Sequence, residues 1–578
     1  SMDAREPRHP VRFGIFELHP TAFELRRGAR RIRLERRPME LLMLLVERAS
    51  HLVTRDEIVA RLWGTDVFVD TEAGVNTAVR KVRRALGESA ERPVYIDTVP
   101  GRGYRFIAPV ISVAASTHVT IAVLPFANLS GDPSHDYLAD GLTEETIAAL
   151  GHVDPDRLCV IGRTSAVRYR KTRKSLPEIA RELGASYVVE SSIRGEDGLL
   201  RITSRLIRVQ DQSVLWSAAY DRQAINVLRL QRKLCRAIAD EIRVRLSPER
   251  VARLGRRHTH NSDAYDLYLR GRQAWNQLTP TTTQRAIEFY TRATAVDADY
   301  ALAWSGLADA YTSAPITGDR RPSDVWQRAK DAVGRALRAH PDLAEAQTSS
   351  GVLKFWLDWD WPGAEAALRR AIALDGHYAY AYRMLGHVLS QTGRHPAARI
   401  ALQRARELDP LYAMHHALSA QLAFQARDFD AALDHARHSL DVDPSFWPGY
   451  HQLGQVQQQR GDMDAALVAA TTASRLSGGN SKAVSLQAYL LAATGCGNEA
   501  RSMLTALEQT ATSRYVPPYA FALGYLGLEQ VDAMFQWLER AYDARDVHLV
   551  FAPADPKWDR YRSERRFQEV MNRCGFTR

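Results

Sequence analysis

Between Val75 and Leu86 the apolar residues Val75, Val79, Val82 and Leu86 fall at the spacing of one buried helix face. At about 100° per residue, Thr77, Arg80, Lys81 and Arg84 project from the opposite face, with Asn76 and Arg83 on its flanks. Arg and Lys donate to guanine acceptors and Asn pairs with adenine, so a helix of this width and chemistry suits the major groove of DNA. The bland reading of the same run is a solvated charged face. Downstream, Tyr95-Ile96-Asp97-Thr98-Val99, the turn Pro100-Gly101-Arg102-Gly103 and Tyr104-Arg105-Phe106 have the pattern of a hairpin. Its Arg102, Gly103, Tyr104 and Arg105 are candidates to lie against a phosphate backbone or a minor groove.

The elements needed to hold that helix and hairpin can be read upstream. Arg12 to Leu18, Ala22 to Leu25 and Arg31 to Leu34 are short alternating segments that predict strands. A first helix begins at Pro38, where a missing N–H costs little, and turns Met39, Leu42, Leu45 and Val46 inward. A second begins at Thr54-Arg55-Asp56-Glu57, a capping box.

The run "NTAVRKVRRALG" followed by "YIDTVPGRGYRF" resembles the OmpR/PhoB-type winged helix over residues 11 to 110. The resemblance implies a recognition helix at 71–86, a wing at 95–106, and a loop from Gly64 to Asp70 placed to touch RNA polymerase. It also implies two copies on tandem half-sites. Members of that family carry a phosphorylated receiver upstream, which is not expected in the ten residues available here. A winged helix followed by a sensor is similar to the CadC and HilA type of layout, without the membrane segment of the former.

The rest of the chain is organised by a period. Gly386, Ala420, Gly454 and Ala488 are 34 residues apart, as are Ala398, Ala432, Ala466 and Ala500. Small residues at two places per period mark close helix crossings, so each unit is a helix hairpin. Tyr382, Leu385, Gly386, Leu389, Ala398, Leu402, Ala405 and Pro410 resemble a complete tetratricopeptide repeat, and about eight units span 261–546. Residues 547–578 are expected to cap the array, with Asp559 to Phe576 as a polar closing helix.

In such arrays the first helix of each unit lines the concave face. That face would present Tyr380, Arg383, His387 and Gln391, then Met414, Gln421, Phe424 and Gln425, then His451, Gln455, Gln458 and Gln459, then Lys482 and Tyr489. Amides and aromatics with little net charge suit an extended peptide or a polar uncharged ligand. Soluble lining, or docking of the chain's own winged helix, is the alternative.

Residues 118–247 alternate strands and helices, predicting a compact α/β domain. "IAVLPFANLSGDPSHDYLADGLTEE" resembles the TolB amino-terminal-like domain, a binding and packing module sometimes found behind adenylate cyclase domains. Its carboxylates Asp136, Asp140, Glu144 and Glu145 read either as a metal or catalytic cluster or as an acidic helix start. Arg163 to Lys174 holds six basic residues and no acid, a second nucleic-acid contact or a solvated loop. Eight of the eighteen histidines fall between His377 and His451, with His435 and His438 on one helix face, but the spacing fixes no third metal ligand.

Length and composition set the frame. The 578 residues exceed one core, and 45% hydrophobic with 25% charged residues is ordinary globular usage. Four scattered cysteines without a CxxC pair exclude a disulfide framework or a structural zinc finger. The longest apolar stretch is about half of the roughly 20 residues a membrane helix needs, so the expectation is a cytoplasmic protein. Half of the net charge of +10 lies in residues 1–110, where 20 Lys and Arg oppose 15 Asp and Glu.

The fold class expected is multidomain: a winged helix (α+β), a small α/β domain, and an all-α tetratricopeptide solenoid. The function expected is a DNA-binding transcription regulator with no cofactor, no metal and no catalysis, since phosphate loops and nucleophile motifs are absent. The alternatives are a scaffold with a vestigial winged helix, or a nucleotide-processing enzyme in the middle domain.

Overall fold

The computed structural model describes residues 11–576 apart from 21–22, 28–29, 50, 64–70, 92, 109, 113–118, 133–135, 152–157, 171, 197–198, 224–236, 239–258, 260 and 276–279. The chain divides into two compact units, Ser1–Thr117 and His118–Arg578.

The first unit opens with strands β1 (Val11–Phe13), β2 (Phe16–His19), β3 (Glu24–Arg27) and β4 (Arg30–Ile32). The segment expected as one strand from Arg12 breaks at Gly14, whose φ of +55° lets the chain reverse into an antiparallel pair. Helix α1 (Arg36–Glu47) follows, with Pro38 in its first turn and Met39, Leu42, Leu45 and Val46 buried. Strand β5 (Leu52–Thr54), which the pattern did not anticipate, leads into α2 (Arg55–Trp63). The capping box is present: Glu57 N–H donates to Thr54 Oγ1 at 3.3 Å, and Thr54 N–H to Glu57 Oε2 at 2.7 Å.

Helix α3 (Thr71–Leu86) and the hairpin of β6 (Ile96–Val99) and β7 (Gly103–Phe106) complete the domain. A small sheet in the order β5-β7-β6 carries the hairpin. Strand β8 (Ile111–Ser112) returns to pair with β1, so the segment expected as a linker from Ser112 begins inside a sheet. Val75, Val79, Val82, Leu86, Phe13, Phe16, Tyr95 and Phe106 share one core.

The second unit begins with an α/β layer. Strands β9 (Val119–Val123) and β10 (Ala127–Asn128), helix α4 (Asp136–Gly151), strand β11 (Leu158–Val160) and helices α5 (Arg163–Val167) and α6 (Leu176–Leu183) precede three long strands. These are β12 (Tyr187–Glu196), β13 (Leu199–Arg208) and β14 (Val214–Gln223). The sheet order is β11-β9-β12-β13-β14, with β10 beside β12. It is parallel from β11 to β12 and antiparallel beyond. Most of the long helix expected up to Leu246 lies outside the described residues.

Eight helix hairpins follow among the described residues. Their first helices are Ser262–Trp275, Ala301–Thr317, Ala344–Leu353, Ala379–Gln391, Ala413–Gln425, Trp447–Gln459, Ser481–Ala493 and Pro518–Gly527. The small residues do what the period requires. A Cβ on Gly386 would lie 3.0 Å from Leu402 Cγ, and Ala398, Ala432, Ala466 and Ala500 are fully buried where the paired helices cross. At the same interval, Asp428 and Asp462 cap second helices by accepting from Ala431 and Ala465 N–H. The array curls until its seventh hairpin meets its second: Asn480 Nδ2 donates to the Ile316 carbonyl at 3.0 Å and Ser481 Oγ to Asp319 Oδ2 at 2.8 Å.

The last residues do more than close the end. The helix Arg565–Arg573 lies on the final hairpin, with Arg566 3.0 Å from Asp532 and Arg573 2.6 Å from Glu539. Before it, the turns Val547–Phe551 and Pro556–Tyr561 run inside the curl. Trp558 is fully buried and donates to Tyr519 Oη at 2.8 Å. Beyond the helix, Phe576 stacks on Trp361 of the third hairpin with ring centroids 4.3 Å apart.

Candidate functional site

On α3 the apolar line faces the core, while Asn76, Arg80 and Arg84 are exposed and Thr77 is half-buried. Arg80 and Arg84 stand one helical turn apart as solvent-facing cations. Lys81 is half-buried, and its Nζ lies 2.7 Å from Glu35 Oε1, a partner supplied by the residue before α1. An exposed pair of this kind is worth little in water, so the ammonium can exchange Glu35 for a phosphate.

Arg83 does not stand where the helix wheel puts it. It is buried, and its Nη2 donates to the Ile96 carbonyl and to Thr98 Oγ1, each at 2.9 Å. The cause is next door: Glu88 turns back beneath the hairpin and accepts from the N–H groups of Val94, Tyr95 and Ile96 at 2.7, 2.7 and 3.1 Å. Burial pushes the Glu88 carboxyl above its ordinary pKa against the pull of those N–H groups and of Arg83. Arg83 and Glu88 thus fasten α3 to β6.

Tyr104 is likewise buried, with its hydroxyl donating to Asn76 Oδ1 at 3.0 Å. That bond occupies the Asn76 amide oxygen, and the N–H2 group is the donor this exposed residue has left to offer a base or phosphate. The Arg55 guanidinium lies 5.8 Å over the Tyr104 ring, adding a cation beside the helix start. Spacing alone does not single out Arg55, which reads as an ordinary first-turn residue of α2.

The wing turn follows from its residues. Pro100 precedes Gly101 at φ +68°, and Arg102 N–H closes the turn onto the Val99 carbonyl at 3.0 Å, a type II arrangement. Arg102 is exposed at the tip and Arg105 is half-buried on β7. Gly103 is buried where β7 pairs with β5, and a Cβ there would overlap the Val53 carbonyl oxygen. Its role is backbone approach, with no side chain to offer a ligand. The Gly64 to Asp70 loop lies outside the described residues.

In the repeats, the concave face differs from the open groove expected. Arg383, His387, Gln391, Gln421, Phe424, Gln425, His451, Gln455 and Tyr489 are all buried, while Tyr380, Gln458 and Gln459 are half-buried. Their amides satisfy one another: Gln391 Nε2 donates to Gln425 Oε1 at 2.9 Å, and Gln452 Nε2 to Gln421 Oε1 at 3.2 Å. The chain's own tail covers the rest. Lys557 Nζ donates to Gln455 Oε1 at 2.9 Å, and Arg427 holds the Ala554 carbonyl and Asp559 at 2.9 and 2.5 Å. His387 sits among Phe355, Trp356 and Phe551, and burial draws its pKa down to about 3. The sequence does not single out Gln452 or Lys557, since the first looks like one more glutamine and the second lies outside the repeats.

Several members of the remaining clusters are held in ion pairs and docking contacts, while Arg168, Arg173 and Lys174 of the basic run are exposed. Asp140 pairs with Arg170, and Glu144 pairs with Arg163 at 3.5 Å and with Arg272 of the first hairpin. Lys174 of the basic run pairs with Glu182 at 2.7 Å. Asp409, from the fourth hairpin, accepts from Ser165 N–H at 2.7 Å, docking the α/β layer on the array. His416 and His438 stack at 6.0 Å, each bonded to a backbone carbonyl. Among the described residues no group of three His, Cys, Asp or Glu is arranged to hold a metal, and no helix is long and apolar enough to cross a membrane.

Comparison with known proteins agrees with this division. Residues 29–106 match the family described as "Transcriptional regulatory protein, C terminal", and residues 360–422 match "Tetratricopeptide repeat". The chain is 33% identical over 225 residues to a putative adenylate cyclase 3 of Rhizobium meliloti, covering 38% of each protein. It is 24% identical over 319 residues to the transcriptional regulator HilA of Salmonella typhimurium, covering 53% of this chain and 54% of that one. The solved DNA-binding domain of E. coli CadC is 30% identical, over 18% of this chain and 96% of that domain, with a TM-score of 0.16. The chain thus spans about half or less of the length of the curated relatives it matches first. It carries an OmpR/PhoB-type winged helix of the transcriptional regulatory protein C-terminal family, joined through a sheet-containing region to an array of tetratricopeptide repeats.

Proposed function

We propose that the chain is a sequence-specific DNA-binding transcription regulator, with residues 11–110 as its output domain. The observation that carries this reading is α3, which presents Asn76, Arg80 and Arg84 to solvent inside a match to a regulator family. Thr77, Lys81, Arg102 and Arg105 extend the surface, while Arg83, Gly103 and Tyr104 set its geometry. The middle α/β domain (118–247), read as TolB-like, and the repeats (261–546) form the sensing and protein-interaction part, acting in the cytoplasm. Of the carboxylates that favoured an enzyme, Asp140 and Glu144 pair with Arg163, Arg170 and Arg272 and Asp136 accepts from Asn128, and we read no catalytic role for the cluster.

Selection of genomic fragments by the purified full chain tests the reading. Enrichment of a common motif at physiological salt is expected, with two adjacent half-sites if tandem binding and polymerase contact follow the family. Recovery of random DNA overturns it, because the phosphate backbone alone gives salt-dependent binding without sequence preference.

A further inference from the structure

The tail and four hairpins line a small, partly open pocket with about 40 Å³ of solvent-accessible space, which takes in Gln421, Phe424, Gln425 and Gln455 of the concave face. Its lining joins residues distant in sequence: Lys482 and His451 from the repeats, His548, Phe551, Asp555 and Lys557 from the tail. Burying a cation is costly unless an anion accompanies it. Lys557 meets that condition, with Nζ 2.8 Å from Asp555 Oδ2. Lys482 does not: among the described residues no carboxylate is within ion-pair distance of its Nζ, which instead lies 4.2 Å from the Phe551 ring centroid.

Two further groups in the lining lack partners. His451 Nδ1 and His548 Nε2 are buried and make no hydrogen bond. His548 Nδ1 is already 2.8 Å from Asp546 Oδ1, which fixes the ring and leaves Nε2 for something else. Buried polar atoms are nearly always satisfied, so two orphans beside an unmatched ammonium point to a missing occupant. Lys482 is thus the lining cation without a carboxylate in ion-pair contact, and one negative charge beside it completes a pair. The Phe551 face and Leu523 offer a wall for carbon atoms.

We propose that this cavity is a binding site for a small organic monocarboxylate, its carboxylate on the Lys482 ammonium beside His451 and His548 and its carbon skeleton against Phe551. Burial, with Lys557 adding to it, lowers the Lys482 pKa to about 8, so the ammonium is still the main form at neutral pH. The tail supplies four of the sixteen lining residues, so occupancy and the seating of residues 547–561 stabilise each other.

Calorimetric titration of the full chain with acetate, lactate and benzoate, against sodium chloride of equal ionic strength, tests the site without reference to DNA. At least one acid is expected to bind saturably at one per chain and to raise the melting temperature. Lys482→Gln should weaken that binding about tenfold or more, the worth of one charge-assisted hydrogen bond. Should that variant lose its cooperative melting transition, His451→Asn takes its place and should weaken binding likewise. No saturable binding of any of the three acids, undiminished binding in the folded variants, or tighter binding of inorganic phosphate than of the acids each overturns the proposal.

Discussion

Arg83 Nη2 donates to the Ile96 carbonyl at 2.9 Å, so the helix that presents Arg80 and Arg84 also holds the root of the wing. Two arginines three residues apart therefore have opposite roles. Arg83→Met removes the donor to the Ile96 carbonyl and Thr98 Oγ1 and the cation beside Glu88, and should cost about 1.5–3 kcal/mol of stability. Arg80→Met should change stability by less than about 0.5 kcal/mol. Its effect should fall on DNA, lowering the salt slope of binding by about one if it meets a phosphate, or costing about 1–3 kcal/mol of specificity if it meets a base. Denaturant melts and salt-dependent binding curves of the two variants separate these outcomes.

Tyr104→Phe removes the 3.0 Å bond to Asn76 and leaves the ring in place. A stability loss of about 1 kcal/mol is expected. The freed Asn76 amide should relax base preference where it docks, measured as a flatter binding profile across single-base variants of the selected site.

Gly103→Ala places a methyl group against the Val53 carbonyl oxygen where β5 and β7 pair. Either the strands separate or the wing moves. The expected result is a loss of at least about 1–3 kcal/mol, in the range of overpacked sites, together with loss of amide exchange protection at Val53 and Thr54.

Trp558→Ala empties a fully buried site inside the curl and breaks the bond to Tyr519. It should cost about 3–5 kcal/mol. Because the same segment covers Gln455 and Phe424, limited proteolysis should begin to cut between residues 547 and 561, while the winged helix keeps its own melting transition.

Asp309 is buried with Oδ1 unpartnered, and burial pushes its carboxyl up to about 7 from an ordinary 3.8. The folded state therefore keeps a proton that the unfolded chain releases. Its contribution is fully present below pH about 4 and is lost as pH rises to about 7, a change of at most about 4 kcal/mol. Asp309→Asn should flatten that limb, leaving the variant more stable than the parent at pH 8, as denaturant titrations at pH 5 and pH 8 would read.

Local sequence was enough for what neighbours decide. The apolar line from Val75 to Leu86 specified a buried face, Thr54 and Glu57 a helix start, Pro100-Gly101 a turn, and the 34-residue recurrence of Gly386 and Ala398 a stack of helix hairpins. Each of these rests on residues a few positions apart, where backbone geometry ties spacing to direction.

Tertiary structure decided the rest. The helix wheel puts Arg83 on a flank of the exposed face, and only the position of β6 gives it the Ile96 carbonyl and Thr98 that hold it inward. The concave amides were legible as a face but not as a covered one. Lys557 reaches Gln455 across 102 residues because many small rotations between hairpins accumulate into a curl that receives the tail. No spacing in the sequence records that sum, so the cavity beside Lys482 exists only once the tail has folded back.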